Sequence, residues 1–143
     1  NSPATLEGYA ALSGALQKGK LSAPTRERIA LAVAEVNGCD YCLSAHGFIG
    51  KNFAKLSDEE IALNRRGGST DAKAAAAVAF AKAVTEARGD VDRADLEAVR
   101  AAGYGDAEIL EIAAHVALNT LTNYVNNAFG TEIDFPSIEL VAA

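Results

Sequence analysis

The sequence has 143 residues, half of them hydrophobic, and a formal net charge of −6 at pH 7. Nucleic acid is not expected as a partner, because an acidic chain lacks the clustered lysines and arginines that bind a phosphate backbone. A membrane partner is not expected either, since no apolar run approaches the length that spans a bilayer. The length is close to the commonest domain size, which predicts a single domain over residues 1–143.

Apolar residues recur at intervals of three and four, and no stretch alternates with period two, which predicts an all-α protein. Capping residues and glycines mark the ends of about seven helices. In chain order these are a helix over about 5–17, one from Ser22 to Asn37, one from near Cys39 toward Leu56, one from Ser57 to Gly67, one from Ser69 to Gly89, one from Asp92 to Gly103, and one that Asp106 caps and that ends near Phe129. The remaining tail contains Pro136 and is expected to be extended.

Alanine accounts for 31 of the residues. Alanine favours helix but adds little side-chain volume to a core, so each helix buries little area against its neighbours. Sharing surface with other subunits would offset that shortage. The composition therefore favours a homo-oligomer.

The stretch "EVNGCDYCLSAHGF" holds both cysteines and one of the two histidines as C-x-x-C-x-x-x-H. In a helix each residue advances about 100°, so Cys39, Cys42 and His46 would point into one sector. The Asn37-Gly38 pair should break the preceding helix and put the cysteines in a first turn, where free amides and the helix dipole favour a thiolate. These features indicate a reactive dithiol for which His46 can move protons.

The same residues fit two other interpretations. Cys39, Cys42 and His46 would supply three of the four ligands of a structural zinc, with His115 or a carboxylate as the fourth, but no second short-spaced pair is present. The cysteines would otherwise be two buried core thiols. One close pair without an export-signal pattern favours a redox dithiol in the cytoplasm, and neither a metal nor a cofactor is predicted.

A carboxylate is needed to orient the imidazole of His46, and Glu27 and Glu35 are the nearby candidates. Spacing alone does not choose between them. The second histidine, His115, lies in "EIAAHVALN" among apolar residues. It is expected to be a hydrogen-bonded core or interface residue, with a place in a pocket or proton relay as the alternative.

The pattern Glu27-x11-Cys39-x-x-Cys42-x-x-x-His46 resembles the signature of the alkylhydroperoxidase D (AhpD)-like branch of the carboxymuconolactone decarboxylase family. The segments "RERIALAVAEVNGCDYCLSAH" and "GYGDAEILEIAAHVALNTLTNYVNNAFGTEIDFP" share the resemblance, which covers roughly residues 20–136. It implies an all-helical AhpD-like fold that assembles into trimers or hexamers.

The resemblance also implies a thiol-dependent peroxidase that reduces hydrogen peroxide or organic hydroperoxides. Cys42 would be the peroxidatic cysteine and Cys39 the resolving one, with Glu27 and His46 as the proton relay. A dithiol, on a lipoyl-bearing or thioredoxin-like protein, would reduce the resulting disulfide. The sequence departs from the best-known peroxidases of this branch at Tyr41, where they have a histidine directly before the second cysteine.

Three alternatives remain open at this point. The cysteine pair could serve a general dithiol-disulfide oxidoreductase that uses no peroxide. A non-redox enzyme resembling the carboxymuconolactone decarboxylases is another, although those decarboxylases generally lack the pair. The third is a metal-binding or structural oligomerisation module, which metal analysis and thiol titration would distinguish from the redox interpretations.

Overall fold

The computed structural model describes residues 1–136, and this part of the chain contains seven helices and no strand. The helices are α1 (Pro3–Leu16), α2 (Ala23–Val36), α3 (Asp40–Asn52), α4 (Asp58–Arg65), α5 (Ala72–Glu86), α6 (Arg93–Ala101) and α7 (Asp106–Phe129). The predicted all-α class is confirmed. Residues 131–136 follow α7 without regular structure, and the rest of the predicted extended tail lies outside the described residues.

One helix end differs clearly from the prediction. α3 ends at Asn52 instead of continuing toward Leu56. Lys55 adopts a left-handed backbone conformation with φ 59°, and the amide of Leu56 then donates to the carbonyl of Gly50 at 2.9 Å. The chain turns back because Leu56 is buried against the core.

Of two predicted helix caps, the one at Asp106 is not found in the structure and the one at Ser57 is. Asp106 does not cap α7; the cap is Gly105, whose amide donates to the carboxylate of Glu108 at 2.8 Å. Ser57 does cap α4, because its hydroxyl accepts the amide of Glu60 at 3.1 Å. The carboxylate of Glu60 itself makes tertiary contacts.

The central helix α2 packs against α3, α4, α5 and α7, and its residues 29–34 are all buried. Ile29 and Val33 face one core cluster with side chains of α5, α6 and α7. Leu31 faces a second cluster that includes both cysteines. Glu27 and Glu35 lie one turn before and one turn after Leu31, so both share its side of the helix.

The first helix is much less embedded. α1 packs mainly against α7, and none of its residues is buried. Its apolar side chains Leu6, Tyr9 and Leu12 are 66%, 37% and 38% exposed. In the part of the chain that the structure describes, no helix is long and apolar enough to cross a membrane.

Glu60 ties α4 to α2 and to the connection between α4 and α5. This residue is only 3% exposed. Its carboxylate accepts hydrogen bonds from the Arg28 guanidinium at 2.7 Å and from Asn64, Ser69 and Thr70. Arg28 follows Glu27 directly on α2, so this cluster holds α2 in place beside the candidate site.

Glu60 should make the fold sensitive to acid. Burial alone would raise the pKa of Glu60, but hydrogen bonds from Ser69, Thr70 and Asn64 outweigh it and lower the pKa well below the ordinary value of 4.5. Because the folded-state pKa is the lower one, ionised Glu60 stabilises the fold above pH 4.5, and this contribution is lost as the pH falls further. We expect Glu60→Gln to lower the free energy of unfolding at pH 7 by about 3 kcal/mol, since Arg28 loses its counter-charge.

Urea unfolding of the wild type and of Glu60→Gln at pH 7 and at acid pH measures this effect. The difference between the two proteins should shrink as the pH falls below 4.5. Exposed Glu97 pairs with Arg93 on the surface of α6, so Glu97→Gln is the matched control. Equal losses in both variants at pH 7 would contradict the role given to Glu60.

Candidate active site

The two cysteines lie at the junction of α2 and α3. Gly38 has φ 61°, a left-handed conformation that lets α3 begin directly after α2 ends. Cys39 is the N-cap of α3 and Cys42 lies in its first turn, with 5.2 Å between their Cα atoms and a disulfide between their sulfurs. The predicted break at Asn37-Gly38 therefore puts the pair at the start of a helix.

Different groups contact the two sulfurs. The backbone amide of Cys42 donates to Cys39 Sγ at 3.2 Å, so the free amide of the helix end serves Cys39. Asn126 of α7 donates from Nδ2 to Cys42 Sγ at 3.3 Å. In the reduced protein each donor would stabilise negative charge on its sulfur. Asn126 could not be recognised as a site residue from the sequence, because it lies 84 residues from Cys42 in an asparagine-rich segment.

His46 lies one turn after Cys42 and contacts Glu27 of α2. Its Nδ1 is 2.8 Å from Glu27 Oε2, and the two side chains are 23% and 19% exposed. An ionised carboxylate at this distance holds the proton on Nδ1, which leaves Nε2 as the nitrogen that can accept or return a proton.

The other predicted carboxylate is used elsewhere. Glu35 Oε2 accepts from Arg65 Nε at 2.6 Å, and Glu35 does not line the cavity described below. The structure therefore brings Glu27, and not Glu35, to His46. Arg65 is only 7% exposed, and this ion pair joins α4 to α2.

A cavity of about 530 Å³ adjoins the cysteines. Cys42, His46 and Glu27 all line it, whereas Cys39 is fully buried and does not. Its other walls come from α1, α2, α3, α7 and one residue after α7: Tyr9, Ser13, Gln17, Arg26, Ala30, Tyr41, Ala45, Ile49, His115, Leu118, Asn119, Thr122, Asn126 and Phe135. Cys42, although only 3% exposed, thus borders the cavity, whereas Cys39 does not.

Tyr41 forms part of the wall of this cavity. Its ring packs edge-on against Phe135, with 5.7 Å between centroids. Burial, followed by the charge of Asp134 and a hydrogen bond to it, raises the pKa of the Tyr41 phenol. The phenol is therefore protonated at neutral pH.

His115 is buried in α7, at 5% exposure, and it also lines the cavity. Its Nε2 has no hydrogen-bond partner among residues 1–136. Burial, and next the positive charge of Arg26, lower the pKa of His115, so the imidazole is neutral at pH 7. His115 is thus buried as expected, but its Nε2 lacks the expected hydrogen bond within the described residues, and it lies at the edge of the cavity.

A structural zinc site requires four ligand side chains placed close together. Within residues 1–136, no group of three or more His, Cys, Asp or Glu side chains is placed so that it could hold a metal ion. The described residues therefore offer no completed ligand set around Cys39, Cys42 and His46.

We expect Asn126→Ala to slow the alkylation of Cys42 in the reduced protein. A hydrogen bond to a charged group stabilises that group by about 1.5–3 kcal/mol. Losing this stabilisation of the Cys42 thiolate corresponds to an alkylation rate lower by roughly tenfold or more at neutral pH. Iodoacetamide labelling of Cys42, followed by peptide mass spectrometry, measures the rate. Asn127 donates to the carbonyl of Asn37 instead, so Asn127→Ala is the control, and equal rates in the two variants would rule out the contact.

The chain is similar to a known protein family and to several solved structures. The model of the carboxymuconolactone decarboxylase family matches residues 3–87. Among solved structures, an uncharacterized peroxidase-related protein from a Silicibacter species is 31% identical, with 89% of this chain and 69% of that one covered and a TM-score of 0.78. The alkylhydroperoxidase AhpD core of an uncharacterized peroxidase-related protein from Ralstonia eutropha is 30% identical, covers 96% and 72%, and has a TM-score of 0.78.

Two further similarities support fewer conclusions, because one is low in identity and the other covers a short segment. A protein of unknown function from Agrobacterium tumefaciens, 24% identical over 96% of this chain and 94% of its own, has a TM-score of 0.83 and supports the fold alone. An uncharacterized protein from Haemophilus influenzae is 51% identical over 45 residues, which is 31% of this chain and 40% of that protein. Because the family model covers more than half of the sequence and similar solved structures share the fold, the chain belongs to the carboxymuconolactone decarboxylase family, with an AhpD-like fold.

Proposed function

We propose that this protein is a thiol-dependent peroxidase that reduces hydroperoxides through a cycle between the Cys39–Cys42 dithiol and disulfide. One observation carries the proposal. Cys42 lines the cavity together with the paired side chains of His46 and Glu27. Cys39 is fully buried and does not line the cavity. A thiol at the cavity wall beside a base, with a second thiol next to it, is the arrangement that such a cycle requires.

The oxidative step begins on the reduced protein. Nε2 of His46 takes the proton of the Cys42 thiol, and Glu27 stabilises the imidazolium through Nδ1. The thiolate attacks the outer oxygen of the hydroperoxide, so an S–O bond forms as the O–O bond breaks. The departing alkoxide takes the proton from His46 and leaves as an alcohol, or as water when the substrate is hydrogen peroxide.

Resolution uses the buried cysteine. The thiolate of Cys39 attacks the sulfenic sulfur of Cys42, the S–S bond forms and the S–O bond breaks. The hydroxide that leaves combines with the proton of the Cys39 thiol to give water. In sum, one hydroperoxide and two thiols give one alcohol, one water and one disulfide.

Reduction requires an external dithiol, for which we propose a lipoyl-bearing or thioredoxin-like protein. The donor thiolate would attack Cys42, because that residue faces the cavity. Cys39 then leaves as a thiolate, which the amide of Cys42 at the start of α3 stabilises. The second thiol of the donor displaces Cys42, so the donor ends as a disulfide and the protein as a dithiol.

We also propose a cytoplasmic homo-oligomer, a trimer or a hexamer. A cytoplasmic location supports the cycle because thiols are kept reduced there. The exposed apolar side chains of α1, together with Phe129 of α7 at 82% exposure, support self-association. Sedimentation equilibrium that finds only a monomer would contradict this assembly.

A turnover assay tests the proposed function. With excess dithiothreitol and cumene hydroperoxide, the protein should speed hydroperoxide loss above the rate of dithiothreitol alone, with one alcohol formed per disulfide. No acceleration over that background would reject the peroxidase. If the reduced protein then still exchanged with protein disulfides, the general dithiol-disulfide oxidoreductase would be the better description.

A further inference from the structure

The cavity beside Cys42 is far larger than hydrogen peroxide needs. Its volume is about 530 Å³, whereas one water molecule occupies about 30 Å³ of the liquid, and hydrogen peroxide exceeds water by a single oxygen. Pockets of about 300–1,000 Å³ are typical of sites for organic molecules. The volume therefore fits a hydroperoxide with a substantial organic body.

Much of the lining is apolar. Ala30, Ile49, Leu118 and Phe135 contribute hydrocarbon or aromatic surface from four different parts of the chain. Such a wall favours an apolar substrate body, because burying it removes hydrocarbon surface from water.

One permanent positive charge lines the same cavity. Arg26 donates from one terminal nitrogen to the carbonyl of Leu21 at 2.7 Å, which orients the guanidinium. No carboxylate within residues 1–136 pairs with it. The neighbouring carboxylates have other partners: Glu27 contacts His46, and Glu111 accepts backbone amides of the turn between α1 and α2 at 2.7 and 3.1 Å.

His115 adds a neutral polar group to the cavity wall that Arg26 also lines. It lines the cavity, it is nine-tenths buried, and its Nε2 has no partner in the described residues. Because its pKa is lowered, first by burial and then by Arg26, it adds no competing positive charge at pH 7. A buried polar atom without a partner is costly, so a bound polar group would relieve it.

We propose that Arg26 binds the carboxylate of an organic hydroperoxide whose apolar body fills the cavity and whose peroxide group reaches Cys42. This inference rests on the proposed peroxidase and narrows its substrate class to carboxylate-bearing hydroperoxides. A guanidinium with free donors matches the planar carboxylate in a two-point contact. The carboxylate is not consumed, since the electrons pass only between the O–O bond and the two thiols.

A matched pair of substrates tests the proposal. Cumene hydroperoxide and its para-carboxylate differ only in the anionic group, and the second-order rate of thiol loss is measured for each on the reduced protein. The wild type should prefer the carboxylate by roughly tenfold to a hundredfold. Arg26→Gln should remove that preference, and Arg26→Lys should keep part of it.

The ratio between the two substrates separates the possible failures. Arg93 is 90% exposed on α6 and pairs with Glu97, so Arg93→Gln should retain the wild-type ratio. If both substrates cause thiol loss but the wild type shows no preference between them, the assignment of Arg26 is overturned. The same holds if Arg26→Gln keeps the wild-type preference. Thiol loss with neither substrate in the wild type would instead reject the peroxidase on which the inference rests.

Discussion

Cys42→Ser should abolish rapid hydroperoxide reduction, leaving the slow background of an ordinary thiol. The reason lies in access: Cys42 lines the cavity with His46 and Glu27, while Cys39 is completely buried and does not reach it. Stopped-flow loss of hydroperoxide on the reduced variant measures the effect. Its far-ultraviolet circular dichroism should match the wild type, because serine at this position keeps the start of α3 intact.

Cys39→Ser is the matched control, and it should fail differently. Cys42 would still react once, and the sulfenic acid would persist because the resolving thiol is absent. Trapping with dimedone should then label Cys42 in this variant, whereas Cys42→Ser should show no label. A fast reaction in Cys42→Ser, or a label on Cys39, would reverse the roles given to the two cysteines.

Glu27→Gln should slow the oxidative step by roughly a hundredfold, a magnitude typical of a positioned acid–base group. The carboxylate lies 2.8 Å from His46 Nδ1, and a neutral amide there stabilises the imidazolium less well. Single-turnover thiol loss with cumene hydroperoxide measures the rate. Glu27→Asp keeps the charge and should recover part of the activity.

Glu35→Gln provides the control for this prediction. Glu35 lies on the same side of α2 but contacts Arg65 at 2.6 Å and is absent from the cavity wall. Its substitution should leave the rate of thiol loss within a small factor of the wild type. A larger loss in Glu35→Gln than in Glu27→Gln would show that the relay has been assigned to the wrong carboxylate.

The fold could be predicted because its signals are local. Ser22 and Ser57, which accept the N3 amide, mark the predicted starts of α2 and α4. The end of α3 could not be predicted in the same way. It depends on the burial of Leu56, which holds Lys55 in a left-handed conformation that no local pattern indicates.

From residue spacing alone, the site could be predicted only where its members share one helix, and Glu27 was singled out by the family resemblance instead. The spacing of Cys39, Cys42 and His46 predicts their common side of α3, but Glu27 and Glu35 are equivalent by phase on α2. What distinguishes the two carboxylates is that Glu35 pairs with Arg65, a residue of another helix. The contacts of Asn126 and Arg26 with the site also arise from tertiary packing.

The most direct test of the central claim is rapid-quench counting of free thiols after one equivalent of cumene hydroperoxide is added to the fully reduced wild type. The proposed cycle predicts the loss of two thiols per chain in one fast phase, with one cumyl alcohol formed and both thiols restored by a dithiol. Thiol loss no faster than that of a free cysteine would contradict a peroxidase at Cys42.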